Sequence, residues 1–145
     1  MCLYVENSKI YIAKKDIICY KILIKERKKG IYRIFHKPTY RAPFCIFYTY
    51  QLKKLNDLGK SIHTDLDPYL GVGTYGIVNE GFHSFVNLQD AKRTMLSEQF
   101  ENRVGLTLIK CVIPKGAEYI KGRVSSSRNS PESYVSNQII CVKEV

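Results

Sequence analysis

The chain has 145 residues, of which 45% are hydrophobic and 25% are charged. This length supports one hydrophobic core without disulfide staples, so we expect a single domain over residues 1–145. No run approaches the roughly 20 apolar residues that a membrane-spanning helix needs, and residues 1–7 lack the features of a secretory signal. We therefore expect a cytoplasmic protein that is not inserted in a membrane.

Positive charge is concentrated near the N-terminus. The chain has a formal net charge of +10, and residues 14–41 carry ten basic against two acidic side chains. Strand-like runs at 17–24 and 31–35 flank the polar segment 25–30, a pattern typical of a hairpin loop. Its basic residues could contact nucleic acid, or they could form a solvated loop that protects a sheet edge. The candidate nucleic-acid contacts are Lys25, Arg27, Lys28, Lys29 and Arg33.

A long irregular region is predicted in the middle of the chain. Residues 38–43 interrupt the strand pattern, 44–52 resume it, and 53–75 are rich in turn-forming residues. The segment 71–78 matches the pattern G-x-G-x-x-G-x-V, but the other kinase motifs are absent and no strand-to-helix context suits a dinucleotide fold. The pattern therefore indicates a turn-rich loop, or a loop in which Gly71 and Gly73 bring main-chain N–H groups close to a phosphate.

The segment 81–85 places His83 and Ser84 between two phenylalanines, directly before a predicted helix. Asn87 is a suitable N-cap and Asp90 suits the first turn. The spacing predicts an amphipathic helix over about 88–100. Its buried side should carry Leu88, Ala91, Met95, Leu96 and Phe100, and its solvent side Lys92, Arg93, Glu98 and Glu101.

Strand patterns dominate the C-terminal part. They cover 105–114, 117–121 and 134–142, with a serine-rich loop at 125–133. Several strands with one main helix predict an α+β fold, built on a mostly antiparallel sheet or a sandwich.

The five cysteines are widely separated and form no Cys-x-x-Cys pair, so neither a metal site nor a disulfide framework is predicted. Cys19, Cys45, Cys111 and Cys141 lie in apolar runs and should be buried. Cys2 is expected in the first strand; the alternative is an N-terminal nucleophile exposed by removal of Met1, with His83 as another group that could activate the thiol.

Several blocks of the chain together resemble small uncharacterised proteins of bacteriophages and gut bacteria. They are 1–4, 16–21, 81–85, 113–119 and 134–139. This resemblance implies a phage or prophage origin and brings no assigned activity.

The order of elements is also similar to that of ADP-ribosyltransferases. The match uses a strand ending at Lys21, a strand carrying His83 and Ser84, and the segment 113–116 before a terminal strand. Lys21 stands where that family has Arg or His, and Glu118 and Glu132 are the only candidates for its late glutamate. The resemblance implies an enzyme degenerate at these positions.

From these observations we expect a non-catalytic binding protein for an anionic ligand, either a nucleotide, a nucleotide-derived signal or a nucleic acid, with no cofactor. The alternatives are docking on a host protein and the degenerate enzyme. The candidate ligand contacts are Tyr20, Lys21, Gly71, Gly73, His83, Ser84, Lys115 and Tyr119.

Overall fold

Strands rich in Ile, Val and Tyr account for most of the regular structure, as expected for residues that pack well on a pleated surface. The computed structural model describes residues 3–5, 9–26, 39–41, 59, 61–63, 68–69, 76–78, 81–96, 105–125, 127 and 129–145. These residues contain twelve strands and one helix. In chain order they are β1 (Leu3–Val5), β2 (Tyr11–Ile12), β3 (Ile17–Glu26), β4 (Thr39–Arg41), β5 (Ser61–His63), β6 (Pro68–Tyr69), β7 (Gly76–Val78), β8 (Phe82–Phe85), α1 (Leu88–Met95), β9 (Leu106–Ile113), β10 (Glu118–Arg123), β11 (Glu132–Ser136) and β12 (Gln138–Glu144).

The strands form one antiparallel sheet around the long strand β3. The main order is β5-β12-β9-β3-β8-β11-β10-β1-β7-β6, with β2 beside β10 and β4 beside β3. One edge of β3 pairs with β9 from Ile17 to Ile24, and the other edge is shared between β8 and β4. An antiparallel sheet with one helix in the described part confirms the α+β class, and a two-sheet sandwich stays a prediction.

The predicted strand 134–142 is in fact two strands. β11 ends at Ser136 and β12 begins at Gln138, and Asn137 between them bonds to Glu118 instead of joining a ladder. Three strands lie between β11 and β12 in the sheet, which would separate them by roughly 19 Å if the sheet were flat. One residue cannot span that distance, so the sheet curls strongly and has a concave face.

The concave face holds the larger core. Side chains alternate between the faces of each strand, and the odd-numbered residues of β3 and β9 meet here with those of β12. The buried members are Ala13, Cys19, Leu23, Ile109, Cys111, Ile113, Ala117, Ile139 and Cys141. Burial of Cys19, Cys111 and Cys141 confirms their predicted core position, and Cys2 and Cys45 lie outside the described residues.

Helix α1 covers part of the convex face. Asn87 caps it as predicted, accepting a 2.8 Å hydrogen bond from the Gln89 main chain. Ala91 is fully buried and, with Leu88 and Met95, packs against Ile22, Phe85 and Leu108. Leu96 was expected on this side but is 80% exposed, because it follows the last helical residue and points about 100° away from Met95. Residues 97–100 lie outside the described part.

Two segments that were predicted to be irregular contain short strands. Residues 39–41 pair with the end of β3, because the prolines at 38 and 43 flank the paired residues without removing a donor from the ladder. Within 53–75, β5 pairs with β12 and β6 pairs with β7. The predicted strands 31–35 and 44–52 fall outside the described residues. No helix in the described ranges is long and apolar enough to cross a membrane.

Candidate anion-binding site

Strands β3 and β8 bring three of the predicted contact residues together. Tyr20 is the register partner of Phe85, so the next residue of β3 and the preceding residue of β8, Lys21 and Ser84, both face the concave side. The Lys21 ammonium donates a hydrogen bond to the main-chain carbonyl of His83. A basic group and a hydroxyl from distant parts of the sequence therefore meet on one face.

Lys21 is a buried charge, with only 8% of the residue exposed. A buried ammonium normally has an acidic partner, because removing it from water costs several kcal/mol. The salt bridges resolved in the described ranges do not include Lys21; they join Lys25 to Glu144, Arg93 to Asp90 and Arg123 to Glu132. The ammonium has three donors, and the His83 carbonyl takes one of them.

Two buried hydroxyl groups share the concave face with Lys21. By geometry, Ser84 Oγ and Ser136 Oγ have no hydrogen-bond partner among the described residues, although the Ser84 hydroxyl is close enough to the Cys19 thiol to lower its pKa. Their strands are paired, with Ser136 opposite Phe82 and Tyr134 opposite Ser84. Buried hydroxyls in proteins are nearly always satisfied by protein, water or ligand. Ser84 lies next to Lys21 across the β3–β8 pair, and Ser136 lies one strand further along the same face. A third such hydroxyl, on Ser133, faces the convex side by the same alternation.

His83 lies on the convex side, facing away from Lys21. Burial, with a smaller effect of the Lys21 charge, lowers the pKa of its imidazole from 6.5 to about 3. The ring is therefore neutral near pH 7. Its contribution to the concave site comes from the main-chain carbonyl, so the side chain is not placed to neutralise an anion there.

Tyrosines lie on the same concave face as Lys21, where Tyr119 and Tyr134 pack against the buried core. The Tyr119 and Tyr134 rings meet edge to face with centroids 5.5 Å apart, and Tyr11 stacks on Tyr119 at 5.6 Å. The ammonium groups of Lys9 and Lys121 lie 5.2 and 5.6 Å from the centre of the Tyr11 ring, a geometry typical of cation–π contacts. Burial raises the pKa of Tyr134, with smaller effects of Tyr119 and Glu132, so its hydroxyl remains a donor near neutral pH.

Tyr134, Ser136, Tyr11 and Lys121 were not among the residues selected from the sequence. The segment 134–136 places polar residues on either side of Val135, and this alternation puts Tyr134 and Ser136 on one face. That signal was present in the sequence. Whether Tyr134 and Ser136 lie on the concave or the convex face depends on which strands pair with β11, and the sequence does not specify that pairing.

Other predicted contacts do not join this group. Tyr20 packs on the convex face with the helix cluster. Lys115 lies in the exposed turn between β9 and β10. The register partner of Lys21 is Ile109, and the four strand residues from there to the end of β9 alone span roughly 13 Å. The Lys115 main-chain N–H donates to Asp16. Gly71 and Gly73 fall outside the described residues.

Of the basic segment, the structure describes only Lys25. Its ammonium forms an ion pair with Glu144 near the end of β12, so this charge is partly compensated within the chain. Arg27, Lys28, Lys29 and Arg33 lie outside the described part.

The three buried cysteines do not form a metal centre. No group of three or more His, Cys, Asp or Glu side chains in the described part is arranged to hold a metal ion. Burial raises the pKa of the Cys19 thiol to about 11, although the Ser84 hydroxyl and the Lys21 charge lower it. Cys19 is therefore a protonated thiol on the apolar border of the site.

Comparison of the chain with protein-family models, curated proteins and solved structures finds no match. The two glutamates suggested by the resemblance to ADP-ribosyltransferases, Glu118 and Glu132, are both exposed. Glu118 lies beside Asn137 and Glu132 beside Arg123.

Proposed function

We propose that this protein is a non-catalytic binding protein for an anionic ligand of the nucleotide type, and that Lys21 contacts the phosphate. The observation that carries the proposal is the buried Lys21 ammonium, which has no acidic partner among the described residues and faces the same side of the sheet as the buried hydroxyls of Ser84 and Ser136. Two of the three ammonium donors have no partner among the described residues and could bind phosphate oxygens. Charge-assisted hydrogen bonds of this kind are the stronger ones. The phage origin implied by the sequence resemblance forms part of the same proposal.

The tyrosines support a ligand that carries an aromatic base. Tyr119 and Tyr134 adjoin the polar group through the pairing of β11 with β8 and β10. Stacking of a base on an aromatic ring contributes about 1–3 kcal/mol. In this arrangement the phosphate would contact Lys21, and the base would lie toward Tyr119 and Tyr134.

The non-catalytic part of the proposal is supported by the protonation states near Lys21. A His83 imidazole with a pKa of about 3 is too weak a base to accept a proton efficiently near pH 7. The Cys19 thiol, with a pKa of about 11, is almost entirely protonated and is a poor nucleophile.

The first experiment is to denature the purified protein and identify any small molecule that it releases. ATP and inorganic phosphate are then titrated into the ligand-free protein by calorimetry. We expect ATP to bind more tightly than phosphate, and Lys21→Met to weaken ATP binding by more than tenfold. Lys110→Met is the matched control, because Lys110 is the register partner of Tyr20 and faces the opposite side of the sheet.

Equal ATP affinity in the Lys21→Met variant and the wild type would contradict the proposal. Binding of oligothymidylate instead, with loss of affinity in a Lys28→Glu, Lys29→Glu double variant and a steep dependence on salt, would assign the function to the basic segment. If neither ligand binds, capture of a host protein through that segment becomes the next function to test.

A further inference from the structure

Cys111 and Cys141 form a close thiol pair that the proposed function does not use. They are register partners on the adjacent strands β9 and β12, and their sulfur atoms are 3.4 Å apart. Both residues are buried, with 0% and 2% of their surface exposed. The pair lies on the concave face, in the same cross-strand row as Cys19.

The backbone places this pair in the arrangement that brings side chains closest. The Cys141 carbonyl accepts a 2.7 Å hydrogen bond from Gly59 N–H, so it points away from β9. Cys111 and Cys141 therefore occupy a non-hydrogen-bonded pair of the antiparallel ladder, in which Cα atoms are typically about 4.5 Å apart. Disulfides form at Cα separations of roughly 4.4–6.8 Å, so this position accommodates a disulfide without separating the strands.

The two thiols are chemically unequal. The Cys111 thiol has two acceptors within reach, Cys141 Sγ at 3.4 Å and the Ile109 carbonyl at 3.7 Å. Its contact with Cys141 lowers the pKa of Cys141 and raises that of Cys111; burial opposes the Cys141 thiolate, and the Lys21 charge favours it. As the pH rises, Cys141 therefore loses its proton before Cys111 does. Among the described residues, the sulfur–sulfur hydrogen bond joins Cys111 to Cys141 and does not include Cys19.

The end of β12 lies beside the pair and is held to the sheet by the hydrogen bond from Val145 N–H to the Leu108 carbonyl and by the Glu144–Lys25 ion pair. The ladder between β12 and β9 is irregular between Cys141 and Lys143, and residues 142–145 are exposed. Irregular strand ends open locally at lower free energy than a continuous ladder does. Local opening here would expose the Cys141 sulfur without disrupting the centre of the sheet.

We propose that Cys111 and Cys141 are a redox-active dithiol that a low-molecular-weight disulfide converts into a β9–β12 cross-strand disulfide. The Cys141 thiolate attacks one sulfur of the small disulfide, whose S–S bond breaks and releases one small thiolate. Cys111 then loses its proton and attacks the Cys141 sulfur of the mixed disulfide, releasing the second small thiolate. Two protein thiols are oxidised, and one small disulfide is reduced to two thiols.

The test is performed on the full chain, first reduced and then exposed under native conditions to oxidised glutathione. Free thiols are blocked by alkylation during denaturation, and the digested protein is analysed by mass spectrometry. We expect a linked pair of peptides containing Cys111 and Cys141, restored to free thiols by dithiothreitol. A Cys19→Ala variant should form the same link. This mapping in the wild type does not depend on whether any variant folds.

A Cys111→Ala variant should stop at the intermediate stage, with one glutathione attached to Cys141. The proposal is overturned if both cysteines stay reduced while Cys2 or Cys45 reacts, or if Cys111 or Cys141 is linked mainly to another cysteine. It is also overturned if the link appears only after denaturant is added, since the folded arrangement would then have no role.

Discussion

Lys21 on β3 donates a hydrogen bond to the main-chain carbonyl of His83 on β8, although 62 positions separate the two residues in the chain. This contact fixes the ammonium next to Ser84 on the concave face. The charge remains buried there, and the His83 ring lies on the other face.

Replacing Lys21 with Met should leave the free energy of unfolding unchanged within about 1 kcal/mol, or raise it. Leaving the His83 carbonyl without this donor costs about 1–3 kcal/mol, but burying the ammonium costs several kcal/mol that an apolar chain of similar length avoids. Urea denaturation of the ligand-free protein measures the difference. A loss greater than about 3 kcal/mol would mean that Lys21 stabilises the fold through a contact beyond the His83 carbonyl.

Stability should fall as the pH is lowered through the range between about 6.5 and 3 because of His83. Its folded pKa of about 3 lies below the usual 6.5, so the unfolded chain binds the proton more readily throughout that window. The stabilisation is complete above pH 6.5 and is lost as the pH falls toward 3. Because His83 keeps some surface exposed to solvent, screening reduces this effect, and we expect a loss of about 2 kcal/mol between pH 7.5 and 4.5.

The measurement is urea denaturation at several pH values, compared with a His83→Gln variant. Subtracting the two profiles removes the contributions of the carboxylates and of the other two histidines. The difference should slope upward with pH between 4.5 and 6.5. A flat difference would show that His83 titrates alike in the folded and unfolded states.

Gly105→Ala should destabilise the protein more than Gly116→Ala. Both glycines have positive φ angles, of 84° and 88°, which cost an alanine roughly 1–2 kcal/mol. At Gly105 an added Cβ would also lie 3.0 Å from the Lys25 main-chain oxygen, whereas at Gly116 it would meet no described atom within 4 Å. We expect an additional loss of about 1 kcal/mol at Gly105. Thermal and urea unfolding of both variants test this, and equal losses would contradict the close approach.

We expect the isoleucine-to-alanine substitution to lower the free energy of unfolding more at the buried position Ile109 than at the exposed position Ile18. Ile109 is fully buried in the concave core and Ile18 is 51% exposed. Truncating a buried isoleucine typically costs about 2–5 kcal/mol, whereas we expect less than about 1 kcal/mol at Ile18. Urea denaturation measures both losses. If both variants lose a similar free energy of unfolding, the side chain of Ile18 must be buried in solution, for example between two copies of the chain.

Local patterns were sufficient for several elements. The strands 17–24 and 105–114, the start of the helix at Leu88 and its cap at Asn87 follow from alternation, helical spacing and side-chain capping. These signals act over a few residues, so they survive without knowledge of the partners. The break at Asn137 was missed because β11 and β12 together form one uninterrupted strand pattern, and only their different neighbours separate them.

Composition and periodicity alone thus determined the α+β class, the helix cap and the apolar character of Cys19, Cys111 and Cys141. Strand pairing decided which residues share a face: it joined Lys21 to Ser84, placed Tyr20 and the His83 ring on the opposite side, and set Cys111 against Cys141. The physical reason is that side chains alternate with a period of two, so a shift of one residue in register exchanges the two faces. Register depends on contacts between segments far apart in the chain, and only the folded sheet supplies them.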